Sequence, residues 1–257
     1  VVKPFTMAKI LTSTNLTIAS KIDTSPGYIK VDNHTIRDIK NYGTLSLSQI
    51  LSKSSNVGTA KLSLMLDKYA LINWFDDLGF GQKVTNQILG EKKGILPLDK
   101  RFANANIAAL SYGYGLSTTL LKLSQLYTVL ANNGVNTPLS IIANPPAAIK
   151  EQIIDKRVAQ QIRNSLIQAV STQGTGASAQ VQGFSVAGKT GTTHKFKKDS
   201  GYTRHQYRAT FIGMLPADKP QYVIAVMIDS PHGNEYYGGE VAAPVFANIA
   251  TELMRRN

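Results

Sequence analysis

With 257 residues and 27.9 kDa, the chain can bury a sizeable core, as one large domain or two small ones. Hydrophobic residues make up 43% and charged residues 17%, which excludes a disordered chain, and zero Cys excludes disulfides and thiolate metal sites. The net charge of +12 invites a polyanionic partner, but the 28 Lys and Arg are scattered and no nucleic-acid signature accompanies them, so a solvated basic surface or attraction to anionic lipid or wall polymer is the reading.

No apolar run approaches the roughly 18 residues of a membrane span, and no signal-peptide pattern opens the chain. It begins at Val1-Val2-Lys3-Pro4-Phe5 without Met, and reads as the continuation of a longer protein whose upstream part lies outside it. Phe5, Met7, Ile10 and Leu11 fall at helical spacing and predict a first helix over residues 3–18. Ser25-Pro26-Gly27 marks a turn, and residues 28–31 and 35–38 read as short strands around Asp32-Asn33-His34, an excursion on the surface. Ser46 with Gln49 three residues on is a capping-box pattern for a helix facing inward through Leu47, Ile50 and Leu51. Ser54-Ser55-Asn56 interrupts the helical period, which resumes over 57–66 and again over 67–78, ending at Gly79-Phe80-Gly81. A loop over 90–99 leads to helices at 103–110, 120–130 and 155–170, with a further loop at Asn144-Pro145-Pro146.

Residues 181–192 then predict a strand that carries Lys189-Thr190-Gly191-Thr192. On a strand Lys189 and Gly191 share one face and Thr190 and Thr192 the other, and a bare Gly lets another backbone lie close. A cation, two hydroxyls and an open edge suit an extended peptide that ends in a carboxylate, although Lys-Thr-Gly alone also occurs at ordinary surface strand ends. Beyond a polar tip at 194–205, residues 207–215 and 222–229 read as two strands, the second apolar on both faces and therefore central. An aromatic, Gly-rich loop over 231–239 precedes a closing helix at 243–256 with Pro244 in its first turn. Helices first and strands last favour α+β.

Three short motifs stand in a fixed order: Lys3, Ser54-Ser55-Asn56 and Lys189-Thr190-Gly191. The set S-x-x-K, S-D-N and K-T-G is carried by class A β-lactamases and penicillin-binding proteins. Here a Ser immediately before Val1 would complete the first, so the nucleophile is expected outside this chain. Taken singly, Lys3 reads as a surface lysine and Ser54-Ser55-Asn56 as a helix-capping loop. The chain as a whole resembles the transpeptidase domain of division-specific class B penicillin-binding proteins of Gram-negative type. The likeness extends through Val2-Lys3-Pro4, Leu78-Gly79-Phe80-Gly81, Tyr112-Gly113-Tyr114-Gly115-Leu116, Pro138-Leu139-Ser140-Ile141, Tyr236-Tyr237-Gly238-Gly239 and Ala243-Pro244-Val245-Phe246.

That resemblance implies a β-lactamase/transpeptidase-like fold: an antiparallel sheet of about five strands flanked by helices, with an all-helical region. It implies one transpeptidase domain over 1–257, with a membrane anchor, a pedestal domain and the start of the catalytic domain upstream. It implies a serine D,D-transpeptidase that cross-links peptidoglycan stem peptides at the septum and is acylated by β-lactams. Lys3, Ser54, Asn56 and Lys189 would be catalytic, with Ser54 relaying a proton to the leaving amine and Asn56 holding Lys3 and a substrate amide. Thr190, Gly191 and Thr192 would bind the terminal carboxylate, and the Thr192 N–H would help form an oxyanion hole. A base must be neutral, so Lys3 is expected well below its free pKa of about 10.4, through burial or a neighbouring cation such as Lys189.

Tyr112, Tyr114, Tyr207, Tyr236 and Tyr237 read as cleft walls or as rim packing; Tyr207, Tyr236 and Tyr237 are assigned to the cleft. His34, His194, His205 and His232 lack metal-ligand spacing and are expected at the surface. No phosphate loop is present, and neither metal nor cofactor is expected. Partners implied are stem peptides, β-lactams, cell-division proteins and a separate glycosyltransferase, on the periplasmic side of the inner membrane; nucleic acid is not among them. A serine β-lactamase would need a deacylating Glu, for which no class A pattern is found, and a penicillin-sensing receptor shares fold and acylation but signals.

Overall fold

Pro4 sits in the first turn of α1 (Lys3–Ser13), where a missing N–H loses no hydrogen bond. The computed structural model describes residues 1–98, 102–145, 147–197 and 201–256, without the side chains of 197 and 202–205. Two compact units result: Val2–Ile162, and Arg163–Asn257 together with Val1.

In the first unit α1 is buried on almost every side, with Phe5, Met7, Ala8 and Ile10 inaccessible to solvent. Phe5, Met7 and Ile10 each contribute roughly 1.5–3 kcal/mol by burial. The Phe5 ring meets Tyr127 edge-on at 5.7 Å, and its carbonyl accepts from Trp74 Nε1 at 2.9 Å. The helix stops at Ser13 and not at residue 18, because the Thr14 hydroxyl donates to the Ile10 carbonyl and accepts from Leu16 N. This is the usual competition of Thr with helical backbone pairing.

Then come β1 (Lys21–Asp23), β2 (Tyr28–Val31), β3 (His34–Arg37) and β4 (Thr44–Ser46); β1 pairs with β4 and β2 with β3, both antiparallel. The hairpin β2–β3 is exposed along most of its length, as expected, but two side chains anchor it to the core. Val31 and Ile36 lie in a buried cluster with Ala60, Ala105 and Ala108, and Asp32 Oδ2 accepts from Ala105 N at 2.8 Å. The Ser46 capping box forms as the spacing predicts and starts α2 (Leu47–Ser52). Next are α3 (Asn56–Ser63), α4 (Ala70–Asp77), α5 (Asn104–Ser111) and α6 (Leu120–Ala131), with a short ribbon of β5 (Val135–Asn136) and β6 (Glu151–Gln152). The predicted loop end at Asp99 and the loop position Pro146 lie outside the described residues.

The helix α7 (Lys156–Val170) leads into the second unit. A 3-10 turn at Ala177–Ala179 is followed by β7 (Ala187–Lys197), β8 (Gly201–Leu215), β9 (Tyr222–Asp229), α8 (Gly238–Val241) and α9 (Ala243–Arg255). Among the described residues the sheet has the order β7-β8-β9, all antiparallel, so it holds three strands where about five were expected. The other strand segments are two to four residues long; β2 and β3 form a tight hairpin, which is enclosed between the paired β1 and β4.

Three expectations change here. The strand starts at Ala187, since residues 181–184 form a tight turn with Gly183 at φ +82°. The polar tip is a continuation of β7 and β8 through a register shift between His194 and Phe196, with Lys198 to Ser200 outside the described residues. And among the described residues the middle strand is β8, with Ala209, Phe211, Ile212, Met214 and Leu215 fully buried, while β9, read as central, pairs with β8. Gly213 disguises the middle place of β8. A Cβ there would meet the Phe211 and Phe246 rings at 2.9 Å, so only glycine fits between them.

Candidate active site

The Ser-Ser-Asn break is a helix end with the wrong residue in it. Ser54 N donates to Leu51 O at 3.2 Å and Ser55 N to Ile50 O at 3.0 Å, the paired bonds of a Schellman motif closing α2. That motif wants glycine at its left-handed position, yet Ser54 occupies it at φ +58°. The hydroxyl is thus held at a position that disfavours side chains, which points to function more than to stability.

Lys3, in the first turn of α1, is only 6% exposed and meets this break directly. Its Nζ donates to the Ser54 carbonyl at 2.7 Å, to Ser54 Oγ at 3.0 Å and to Asn56 Oδ1 at 2.7 Å. Three donors meet three acceptors, so the ammonium form is fully satisfied. Burial nevertheless pushes its pKa down to about 7, against the opposing pull of the Asp38 carboxylate. Burial, and not a neighbouring cation, is therefore the main cause of the lowering. When the amine is neutral, the two carbonyl-type acceptors retain its N–H groups, and only the Ser54 hydroxyl can reverse and donate to the lone pair. Lys3 and Ser54 can pass a proton between them.

In the second unit Lys189, Thr190, Gly191 and Thr192 lie on β7, an edge strand of the described sheet. Lys189 is 1% exposed, with Nζ 3.4 Å from the Thr190 carbonyl and 3.5 Å from Thr190 Oγ1. A Cβ at Gly191 would lie 3.2 Å from Val1 Cγ1, the close approach that glycine permits. The alternation places Thr190 and Thr192 together: Thr190 Oγ1 is 2.8 Å from Thr175 Oγ1, and Thr192 Oγ1 accepts from Gly238 N at 3.0 Å. Thr192 therefore keeps its own hydroxyl hydrogen for another acceptor. Gly238 is required by contact, since a Cβ there would fall 2.4 Å from Thr210 O and 2.6 Å from Gly191 O.

The three assigned tyrosines gather at one end of this face. Tyr207 stacks on Tyr236 at 4.3 Å and 16°, and Tyr236 meets Tyr237 at 4.5 Å. His194, the register partner of Tyr207, is half-buried against its ring at 4.7 Å and not solvent-exposed as expected. His34 and His232 are exposed, and the His205 side chain lies outside the description. Tyr112 and Tyr114 pack edge-on at 5.7 Å in the first unit. Among the described residues no group of three His, Asp or Glu is placed to hold a metal.

Two contributors were not legible beforehand. Thr175 sits in a Gly/Ser/Thr stretch that looked like loop, and Asp38 was read as the end of a short strand. Asp38 Oδ1 accepts from Asn56 N at 2.5 Å and Val57 N at 3.0 Å, while Oδ2 accepts from Ser55 Oγ at 2.5 Å. An acidic residue 18 positions before a helix start carries no local signal.

Comparison with known proteins gives a consistent picture. Residues 1–251 match the family model described as penicillin binding protein transpeptidase domain. A probable peptidoglycan D,D-transpeptidase PbpC of Pseudomonas aeruginosa is 36% identical over 99% of this chain and 45% of its own length. The peptidoglycan D,D-transpeptidase FtsI of Escherichia coli is 32% identical over 99% of this chain and 43% of its own. The chain thus spans about half the length of the curated relatives it matches. A solved apo structure of the TP domain of Burkholderia pseudomallei penicillin-binding protein 3 superposes with a TM-score of 0.93 at 33% identity, covering 99% of this chain and 77% of that one.

Proposed function

Because this chain belongs to the penicillin-binding protein transpeptidase family, we propose that it is the catalytic part of a serine-type peptidoglycan D,D-transpeptidase. The observation that carries the reading is the buried Lys3, bonded to Ser54 and Asn56 and lowered to about 7, poised as a base near neutral pH.

In this proposal a Ser immediately before Val1 adds through its oxygen to the penultimate D-Ala carbonyl, and Lys3 takes the hydroxyl proton. Thr190 and Thr192 hydrogen-bond the terminal carboxylate, with Lys189 supplying positive charge. The backbone N–H groups of Thr192 and of that Ser hold the oxyanion. As the C–N bond breaks, the proton passes from Lys3 through Ser54 to the leaving amine of D-Ala. An acceptor amine then attacks the acyl-enzyme, its proton returns through the same groups, and the serine hydroxyl is restored. Tyr207, Tyr236 and Tyr237 provide an aromatic wall for the substrate or drug side chain.

The wider setting is proposed on the same footing: residues 1–257 as one domain of a longer protein anchored by an upstream helix and acting on the periplasmic side of the inner membrane. No helix among the described residues is long and apolar enough to cross a membrane. Stem peptides are its substrates, β-lactams its covalent inhibitors, and septal division proteins with a separate glycosyltransferase its partners.

The test is incubation of the full-length protein with a fluorescent penicillin, followed by peptide mass spectrometry. The expected result is a stable adduct on the Ser preceding Val1. Rapid turnover of a chromogenic cephalosporin would assign a β-lactamase instead, and no adduct on folded protein would end the reading.

A further inference from the structure

The first three N–H groups of α3 are capped from two places in the chain, one local and one distant. Ser55 caps the helix through its own hydroxyl, accepting from Gly58 N at 2.9 Å. Asp38 adds three more bonds from the end of the β2–β3 hairpin, to Asn56 N, Val57 N and Ser55 Oγ. Its neighbour contributes as well, since Asn56 Nδ2 donates to the Arg37 carbonyl at 3.2 Å. Asn56 is therefore gripped at both its backbone N–H and its side-chain amide N–H. With Nδ2 committed to Arg37, the amide has one orientation, and its Oδ1 is the end presented to Lys3.

Resting on the transpeptidase reading, we propose that Asp38 is a positioning residue: its carboxylate locks the Ser-Ser-Asn break in the setting that presents Ser54 and Asn56 to Lys3. A local cap fixes a helix end but not its orientation; a carboxylate from a hairpin 18 residues earlier fixes both. The same charge acts on the base. Asp38 pulls the Lys3 pKa upward while burial pushes it down. The other elements packed against α1 are α2, α3 and α4, with α5 meeting it through Ser111 and α6 through Tyr127. Their ionisable side chains are Lys53 at the end of α2, Lys61 on α3, Asp76 and Asp77 on α4, and Lys122 and Tyr127 on α6, and none of them receives a Lys3 hydrogen bond.

Two variants of the full-length protein separate shape from charge. Asp38→Ala removes both, and acylation by fluorescent penicillin is expected to slow about 10–100-fold, the scale of a displaced catalytic group. Asp38→Asn keeps an acceptor for Asn56 N and Val57 N, so most of the rate returns, but the acid limb of the pH–rate profile moves to lower pH because Lys3 loses its nearby anion. A purely structural role would lower stability without moving that limb. An Asp38→Ala rate within about threefold of wild type, or an Asp38→Asn profile superimposable on wild type, overturns the proposal. Should Asp38→Ala fail to fold, Asp38→Asn decides alone. If the wild type takes no label, the transpeptidase reading fails instead. NMR titration of the Lys3 amine in wild type and Asp38→Asn then tests the inference without any reaction, and an unchanged Lys3 titration overturns it.

Discussion

Replacing Lys3 by Met tests the base directly, because Met fills a similar buried volume and does not titrate. The folded pKa of Lys3 is about 7, and in the unfolded chain it is about 10.4. Between these values the unfolded state binds one more proton than the native state, so stability rises with pH. The penalty for a buried ammonium is full below pH 7 and is relieved as pH climbs toward 10. Integrating the linkage from pH 7 to pH 9 gives the wild type about 2 kcal/mol that the variant lacks. Loss of the three hydrogen bonds offsets the variant's stability by an amount that does not vary with pH, so it drops out of the slope. The assay is urea unfolding of both proteins at several pH values over that range. A difference curve that rises by about 2 kcal/mol confirms the depressed lysine; parallel curves refute it, and with it the idea of a neutral base.

Three other substitutions bear on the same architecture. Ser54→Gly relaxes the left-handed backbone and should stabilise the fold by roughly 1 kcal/mol in thermal or urea unfolding, while penicillin acylation drops by at least about tenfold as the relay hydroxyl is lost. Gly238→Ala forces a Cβ against Thr210 O and Gly191 O; a loss of roughly 1–3 kcal/mol in unfolding experiments is expected. Tyr236→Ala removes the ring stacked on Tyr207, and should weaken the noncovalent step of penicillin binding by about 0.5–1.5 kcal/mol in stopped-flow labelling, with the limiting acylation rate little changed.

How much of this was legible in sequence depended on whether the signal was local. The Ser46 capping box, the helix it starts and Lys189-Thr190-Gly191-Thr192 on a strand rest on spacings of a few residues, and they formed as read. The middle strand of the described sheet was missed because its small residue, Gly213, lowers apparent apolarity where two phenylalanine rings require the space. The extended ribbon of β7 and β8 was missed because its residues are polar, so no hydrophobic alternation marks it. Asp38 was missed for a different reason. Its partners lie 17 to 19 residues away, and nothing short of the folded hairpin brings them together.

The proposed activity is acyl transfer through Lys3, Ser54 and Asn56 with the substrate carboxylate held by Thr190 and Thr192. The most direct measurement supplies the full-length protein with a stem peptide ending in D-Ala-D-Ala and an acceptor amine, and follows products by mass spectrometry. Release of D-Ala together with a cross-linked product, both lost in Lys3→Met, is the predicted result. A folded protein that takes the penicillin label yet yields neither product would contradict the claim and leave a domain that acylates without transferring.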